Sequence, residues 1–223
     1  MVARMPCQTV RVDRRARLRD ARLYFVADRG GMARALDGAL AGGADLFQLR
    51  DKDASDEELL ATAERARERC HAAGALFILN DRPDLAAACG ADGVHVGQDD
   101  MPVDRARRIV GDDAIVGLST HSAQQAEAGA RSGADYIAVG PVHATPTKVG
   151  RAAIGVEPLG YAATHVDVPW FAIGGIDPYT VGAVVKAGAR RIVVVRAIAD
   201  AEDPEATART LRAAVDGGRR GAA

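Results

Sequence analysis

A four-residue motif recurs along this chain and constrains its fold more than any other feature. It reads GGAD up to Asp45, CGAD up to Asp92, SGAD up to Asp135 and, in a variant form, AGAR up to Arg190. An apolar run follows each copy, and a further apolar run lies about halfway through each interval before it. Repetition at a spacing of roughly 50 residues is typical of a chain that uses one supersecondary unit several times.

The apolar runs predict eight short strands. They are almost continuously apolar, as expected for parallel strands that are buried on both faces. The predicted strands are Leu23–Ala27, Leu46–Leu49, Leu76–Leu79, Gly93–Val96, Ala114–Leu118, Tyr136–Val139, Trp170–Ile173 and Ile192–Val195.

The segments between these strands have helical patterns. The clearest is Ser55–His71, in which Ser55 and Glu58 form a capping-box signature ahead of an apolar stripe. The glycine of each motif copy is well placed to end a helix in the left-handed conformation just before the next strand.

Eight strand–helix units can form either a doubly wound open sheet or a closed barrel. The regular spacing of the strands, without a long polar edge strand, favours an α/β fold that is a single (β/α)8 TIM barrel. We expect residues 1–20 to be a solvated N-terminal leader, residues 21–216 the barrel and residues 217–223 a frayed tail.

Composition excludes several classes of partner. The chain has 29 basic and 30 acidic residues and a net charge of −1, which gives no reason to expect nucleic acid or a membrane surface as a partner. No apolar run approaches the roughly 20 residues that cross a bilayer. Cys7, Cys70 and Cys89 have no metal-like spacing and are odd in number, so we expect free thiols and a cytoplasmic location.

In a barrel, functional residues lie at the carboxyl ends of the strands. Asp81 and Asp100 follow two neighbouring strands there, and two carboxylates brought together repel unless a cation or a proton lies between them. This pair therefore predicts a divalent-metal site. The alternative is that each aspartate only caps the helix that follows.

Three cations and a glycine pair share the same predicted rim. Arg50, Lys52 and Lys148, together with a metal, suit a diphosphate, although each cation could instead pair with a surface acid. Gly174-Gly175 follows the seventh strand, where backbone N–H groups often approach a phosphate.

Three histidines on the rim raise the alternative of a zinc site. His95, His121 and His143 follow different strands and lack close Cys or Glu partners, which argues against zinc ligation. We expect His95 to point into the barrel or to support a neighbouring side chain.

Seven stretches of the chain resemble the thiamine-phosphate synthase family. They are QLRDK (48–52), ILND (78–81), ADGVHVGQDD (91–100), VGLST (116–120), GADYIAVGPV with TPTK (133–148), AIGGI (172–176) and AIADAEDP (197–204). The resemblance implies a TIM-barrel transferase of thiamine biosynthesis that joins hydroxymethylpyrimidine diphosphate to a thiazole phosphate and releases diphosphate with the help of Mg²⁺.

The resemblance also implies roles for individual residues. Asp81 and Asp100 would hold Mg²⁺, and Arg50, Lys52, Ser119 and Lys148 would act in catalysis. The pyrimidine diphosphate would contact Gln48, Arg50, Lys52, Asn80, Ser119 and Lys148. The thiazole phosphate would contact Thr145, Thr147, Gly175, Val195 and Arg196.

The chain departs from the family pattern at two places. Arg196 stands where the family usually has Ser, so either its backbone N–H alone or also its guanidinium would contact phosphate. His143 and Ala144 replace the family's usual Tyr-Pro before the first Thr of the loop.

Two rival functions remain at this point. A thiazole tautomerase-like barrel would keep the phosphate site without the diphosphate and Mg²⁺ residues, and a non-catalytic barrel would only bind a phosphate ligand. The partners that we expect are small-molecule substrates, and the sequence leaves a homo-oligomer open.

Overall fold

A computed structural model describes residues 13–145 and 152–218 of the chain. Within these residues eight parallel strands pair in sequence order, and β8 pairs with β1 to close a barrel. The strands are β1 (Leu23–Ala27), β2 (Leu46–Leu49), β3 (Leu76–Asn80), β4 (Gly93–Val96), β5 (Ile115–Thr120), β6 (Tyr136–Val139), β7 (Trp170–Ile173) and β8 (Ile192–Val194). The predicted (β/α)8 barrel is therefore confirmed.

Helices surround the barrel and connect its strands. In chain order they are α1 (Arg14–Asp20), α2 (Arg29–Ala41), α3 (Asp56–Ala72), α4 (Pro83–Cys89), α5 (Val103–Val110), α6 (Ala123–Ala130), α7 (Glu157–His165), α8 (Val181–Lys186), α9 (Arg196–Ala199) and α10 (Pro204–Gly217). Ser55 caps α3 and forms the predicted capping box with Glu58.

The bounds of three strands differ from the sequence prediction, and one of these differences is that β5 begins at Ile115 instead of Ala114. β3 extends to Asn80, which pairs with His95, and β5 extends to Thr120, which pairs with Val139. Ladder pairing uses backbone groups, so it continues through polar residues that apolar runs cannot reveal. β8 ends at Val194, because Val195 already caps α9.

Period-two alternation of the strands separates two layers of core. Leu23, Phe25 and Ala27 pack outward against the helices, whereas Tyr24 and Val26 face the barrel interior with Phe171. The interior is thus filled with side chains, so a ligand site is expected beyond the carboxyl ends of the strands.

Residues 14–20 correct the expectation of a solvated leader. They form the helix α1, whose Leu18 is 1% exposed and packs with Leu46, Leu76 and Ile115 at the amino end of the barrel. This helix was not predicted from the sequence, because its charged partners lie far along the chain. The rest of the predicted leader, residues 1–12, and residues 219–223 of the predicted tail lie outside the described residues.

The aspartates of the repeated motif attach strands to one another at the amino end of the barrel. Asp45 accepts hydrogen bonds from the backbone N–H groups of Arg22 and Leu23 at 2.6 and 3.0 Å. Asp92 and Asp135 do the same for the N–H groups of Phe77 and Val116, at 2.9 and 2.8 Å.

An arginine neutralises each of these aspartates. Arg212 lies 2.9 Å from Asp45, Arg14 lies 2.8 Å from Asp92, and Arg15 and Arg107 both contact Asp135. The glycines of the motif adopt positive φ, as predicted, with values of 96°, 67°, 85° and 104° at positions 43, 90, 133 and 188. The repeat therefore has a structural role.

Two further expectations concern the thiols and the membrane. Cys70 and Cys89 are free and buried, as expected, whereas Cys7 lies outside the described residues. Across residues 13–145 and 152–218, no helix has the length and apolar character needed to cross a bilayer.

The contacts of Asp92 predict a large effect on stability. Asp92→Ala leaves the N–H of Phe77, the guanidinium of Arg14 and the ring of His71 without their shared acceptor. We expect the free energy of unfolding to fall by roughly 3 kcal/mol, as measured by urea denaturation. The matched control is Asp104→Ala, which removes only an exposed pair with Arg108 and should leave the urea midpoint unchanged. Equal midpoints for the two variants would contradict the structural role of the motif.

Candidate functional site

A cavity of about 770 Å³ opens at the carboxyl ends of the strands. It is lined by the predicted site residues that the structure describes, namely Gln48, Arg50, Lys52, Asn80, Asp81, Asp100, Ser119, Thr145, Gly175, Val195 and Arg196. Thr147 and Lys148 lie outside the described residues. Parallel closure of the barrel thus brings together residues that are distant in sequence.

The two predicted metal ligands, Asp81 and Asp100, contact each other. The pKa of the Asp81 carboxyl is raised by burial first and by the hydrogen bond and charge of Asp100 next, and Lys52 opposes this shift. Asp100 also accepts a hydrogen bond from the N–H of Gly97 at 2.8 Å. Two carboxylates at hydrogen-bonding distance need a proton or a cation between them.

The alternative that these aspartates are helix caps is excluded. The cap of α4 is Arg82, without a side-chain hydrogen bond, and the cap of α5 is Pro102. Asp81 instead lies in a left-handed turn with φ 60°, an unusual conformation for a residue other than glycine. This turn directs the chain away from the rim directly after β3.

Two basic side chains beside this carboxylate pair differ in their partners. The Nζ of Lys52 lies 3.6 Å from a carboxylate oxygen of Asp81. Arg50 is partly buried in the cavity wall, and its guanidinium makes no ion pair or hydrogen bond with the part of the chain that the structure describes. A partly buried cation without a counter-ion favours an anionic ligand.

Five side chains form a continuous hydrogen-bond chain through the interior below the cavity. Gln48 donates from Nε2 to the hydroxyl of Tyr24 at 2.6 Å, and the hydroxyls of Tyr24 and Tyr136 lie 2.9 Å apart. The Tyr136 hydroxyl lies 3.0 Å from Nδ1 of His95, whose Nε2 lies 2.9 Å from Oγ of Ser119. His95 therefore supports a neighbouring side chain, as predicted.

The two tyrosines of this hydrogen-bond chain were not predicted as site residues. Tyr24 and Tyr136 are at most 1% exposed, and burial raises the pKa of both phenols. Gly117 leaves room for one of them, because a Cβ there would lie 2.1 Å from the Tyr136 ring. The available signal was a hydroxyl at an inward-facing position of each of two otherwise apolar strands.

The glycine turn after β7 packs closely against the loop after β6. Gly174 and Gly175 have φ values of 110° and 62°. A Cβ on Gly174 would lie 2.4 Å from Cα of Pro141, and one on Gly175 would lie 2.7 Å from Cβ of His143. The turn therefore requires glycine for both conformation and space.

Arg196 begins α9 and lines the same cavity as Gly175. The first N–H groups of a helix have no acceptor within the helix, so the backbone at Val195-Arg196 offers donors there. The Arg196 side chain is exposed and makes no ion pair within residues 13–145 and 152–218, and Asp200 pairs with Arg34 at 3.7 Å instead.

Zinc ligation by the rim histidines finds no support in the structure. His95 belongs to the hydrogen-bond chain, and Nδ1 of His121 lies 2.5 Å from the carbonyl oxygen of Gly140. Within the described ranges, no group of three or more His, Cys, Asp or Glu side chains could hold a metal ion. A cation at this site would depend on the Asp81–Asp100 pair together with ligand oxygens and water.

Comparison with known proteins assigns the family. The profile described as thiamine monophosphate synthase matches residues 23–198, which span the whole barrel. The chain belongs to this family. The resemblance inferred from motifs is thus confirmed, and so is the expectation of a transferase of thiamine biosynthesis.

Two relatives of this family member are similar in sequence over most of its length. A thiamine-phosphate synthase of Saccharopolyspora erythraea is 51% identical over 210 residues, which cover 89% of this chain and 94% of the relative. A thiamine-phosphate synthase of a Nostoc species is 50% identical over 188 residues, but these cover 84% of this chain and only 54% of that longer relative.

A solved structure agrees in fold with this family member. A thiamine phosphate pyrophosphorylase from Pyrococcus furiosus superposes with a TM-score of 0.82 at 34% identity, covering 92% of this chain and 98% of that chain.

The close packing at Gly174 predicts the effect of adding one methyl group. Gly174→Ala combines a strained φ with a clash against Pro141, so we expect a loss of at least about 2 kcal/mol in the free energy of unfolding. Gly160→Ala is the control, because it adds a methyl within α7 where no heavy atom lies within 4 Å. That variant should be as stable as the parent or up to about 1 kcal/mol more stable. Thermal and urea unfolding measure both, and a Gly174→Ala protein of parental stability would refute the packing requirement.

Proposed function

We propose that this protein is a thiamine-phosphate synthase that joins hydroxymethylpyrimidine diphosphate to a thiazole phosphate and releases diphosphate. The observation that carries the proposal is the arrangement at one side of the cavity. A contacting carboxylate pair, Asp81 and Asp100, lies beside Lys52, and the uncompensated cation Arg50 lines the same cavity. This combination suits a diphosphate that arrives with a divalent cation.

The pyrimidine diphosphate would lie between the polar floor and the basic edge of the cavity. Gln48 and Ser119 present polar atoms at the floor and would contact the ring, together with Asn80. Arg50 and Lys52 would hold the diphosphate, since a guanidinium matches two phosphate oxygens and an ammonium acts as a point charge. Lys148, carried over by motif alone, would add a third positive charge.

Mg²⁺ fits the carboxylate pair by its chemistry. This ion is commonly held by one or two carboxylates, substrate phosphates and water, and does not need a cage made only of protein ligands. The raised pKa of Asp81 reflects burial and the contact with Asp100, a contact that a cation would relieve. When bound, Mg²⁺ would draw negative charge from the departing diphosphate.

The reaction needs one bond to break and one to form at the same carbon. The bond between the methylene carbon and the diphosphate oxygen breaks, and the electron pair leaves with diphosphate. The amino group of the pyrimidine delocalises the positive charge left on the methylene carbon, and the thiazole nitrogen then donates its lone pair to form the new bond. Arg50, Lys52 and Lys148 would stabilise the leaving anion, while Ser119 helps to hold the ring in line.

The thiazole phosphate would bind at the opposite side of the cavity. Thr145, Gly175, Val195 and Arg196 line that side, and we include Thr147 by motif. The left-handed turn at Gly175 and the start of α9 both line the cavity, and backbone N–H groups at such positions suit a phosphate monoester.

The two rival functions are weakened by specific observations. A tautomerase has no use for a carboxylate pair next to the cationic edge, yet this chain retains both. A non-catalytic binding barrel would have the same geometry, so only turnover separates it from a synthase. We further propose a cytoplasmic location and partners limited to small-molecule substrates, with no nucleic acid and no membrane.

Turnover with both substrates tests the proposed function. Purified protein with both substrates and Mg²⁺ should form thiamine phosphate and diphosphate, detected by chromatography. Asp100→Ala should lower turnover by about two orders of magnitude or more at limiting Mg²⁺, because one of two predicted ligands is lost. Asp104→Ala, on the outer face of α5, should retain parental turnover. Absence of product would favour the non-catalytic phosphate-binding barrel. Parental turnover in Asp100→Ala would show that Asp100 is not a metal ligand.

The backbone role assigned to Arg196 predicts a small effect of its side chain. In the described part of the chain the guanidinium has no ion pair and no hydrogen bond, so its removal breaks neither kind of bond among those residues. We expect Arg196→Ser to change the KM for thiazole phosphate by less than about tenfold, or about 1.4 kcal/mol. A much larger rise, with the KM for pyrimidine diphosphate unchanged, would show that the side chain itself binds the phosphate.

A further inference from the structure

The contacts of the buried hydrogen-bond chain determine which group donates and which group accepts at each step. Its five members span the barrel from Gln48 on β2 to Ser119 on β5, and all are at most 7% exposed. In a low-dielectric core an unmatched donor costs free energy, so each hydroxyl hydrogen and each ring N–H must face an acceptor.

We propose that Tyr24, Tyr136 and His95 are positioning residues that fix the Ser119 hydroxyl as a hydrogen-bond donor toward the pyrimidine diphosphate. The proposal rests on the proposed function for the identity of the ligand. The direction of the chain itself follows from the contacts of the protein alone.

The direction begins at Gln48. Its amide nitrogen, which can only donate, faces the Tyr24 hydroxyl at 2.6 Å. Tyr24 therefore accepts there and has one hydrogen to give, and the hydroxyl of Tyr136 at 2.9 Å is its acceptor. Tyr136 in turn donates to Nδ1 of His95 at 3.0 Å.

The imidazole of His95 continues the same order of donors and acceptors. With Nδ1 accepting, the neutral ring carries its hydrogen on Nε2 and donates it to Oγ of Ser119 at 2.9 Å. Ser119 thus accepts from below and keeps its own hydrogen for a ligand in the cavity. Its backbone is also held, because Nε2 of Gln98 donates to the Ser119 carbonyl oxygen at 2.6 Å.

The opposite direction leaves one buried donor unmatched. If Ser119 donated to His95 and His95 to Tyr136, Tyr24 would receive hydrogen bonds from both Gln48 and Tyr136. Its own hydrogen would then have no acceptor among the described residues, although the phenol is 1% exposed. Reversal would require the Gln48 amide to turn so that its oxygen faces Tyr24, and this predicts a different tautomer of His95.

The direction matters because it matches an acceptor on the ligand. A pyrimidine ring nitrogen or a diphosphate oxygen accepts a hydrogen bond and cannot donate one. If the Ser119 hydroxyl hydrogen is not used within the protein, it can bond to such an atom without reorientation. If Ser119 donated to His95, the hydroxyl would first have to rotate.

The tautomer of His95 tests the direction without any substrate. In protein with ¹⁵N-labelled histidine, His95 should show a protonated Nε2 and a bare Nδ1, and a His95→Asn spectrum identifies its signals among the five histidines. Tyr136→Phe removes the donor to Nδ1 and should give a mixture of tautomers. Phe171→Leu is the matched control, since Phe171 packs 5.5 Å from the rings of Tyr24 and Tyr136 but belongs to no hydrogen bond of the chain. A protonated Nδ1 in the parent protein would overturn the proposal.

Kinetics test whether the chain acts through Ser119. Tyr136→Phe and, as a second variant, Tyr24→Phe should raise the KM for pyrimidine diphosphate about tenfold, and leave the KM for thiazole phosphate within about twofold. In a Ser119→Ala background the same changes should have no further effect on this KM, because the group that they position is absent. An unchanged KM in both tyrosine variants, or effects that add to Ser119→Ala, would overturn the proposal. Because the tautomer is measured without turnover, failure of the proposed function is separate from failure of this inference.

Discussion

The hydrogen bonds that close β8 onto β1 are the constraint on which the rest of the structure depends. Leu23 pairs with Ile192 and Phe25 with Val194, so the parallel ladder has no open edge. Parallel pairing places all eight carboxyl ends at one end of the barrel and brings Asp81, after β3, next to Asp100, after the neighbouring β4. Closure then turns alternate side chains into a common interior, where Tyr24 on β1 meets Tyr136 on β6.

Charged side chains are compensated within the protein at the amino end of the barrel but not fully at the carboxyl end. At the amino end, the motif aspartates have arginine partners and accept backbone N–H groups, so their charge is compensated within the protein. At the rim, Asp81 and Asp100 face each other and Arg50 has no counter-ion in the described residues. In the proposed function, a ligand of complementary charge would compensate the charges at the rim. The contacts that stabilise the fold and the proposed binding site would then lie at opposite ends of the barrel.

The sequence predicted those features that depend on local pattern or on topology. Apolar runs located the strands, and the barrel then located the rim residues without any contact being known. Features that depend on a partner distant in sequence were missed. The helix α1 is stabilised by Asp92 and Asp135, and Tyr24 bonds to Tyr136 across 112 positions of the chain. No local pattern around Arg14 indicates its partners, and the inward-facing hydroxyl of Tyr24 does not by itself indicate which residue it bonds to.

The position of the polar chain within the core has a physical consequence for recognition. Phe171 packs edge-on against both tyrosine rings at 5.5 Å, so the hydroxyl groups are shielded from water that could supply alternative partners. Because of this shielding, reversing a donor and an acceptor costs free energy at each step. The donor role of the Gln48 amide therefore fixes the donor and acceptor roles as far as Ser119, four hydrogen bonds away. The five side chains are held between strands and are at most 7% exposed, so their hydrogen bonds belong to the barrel core. The polarity of the cavity floor is thus set by the barrel core.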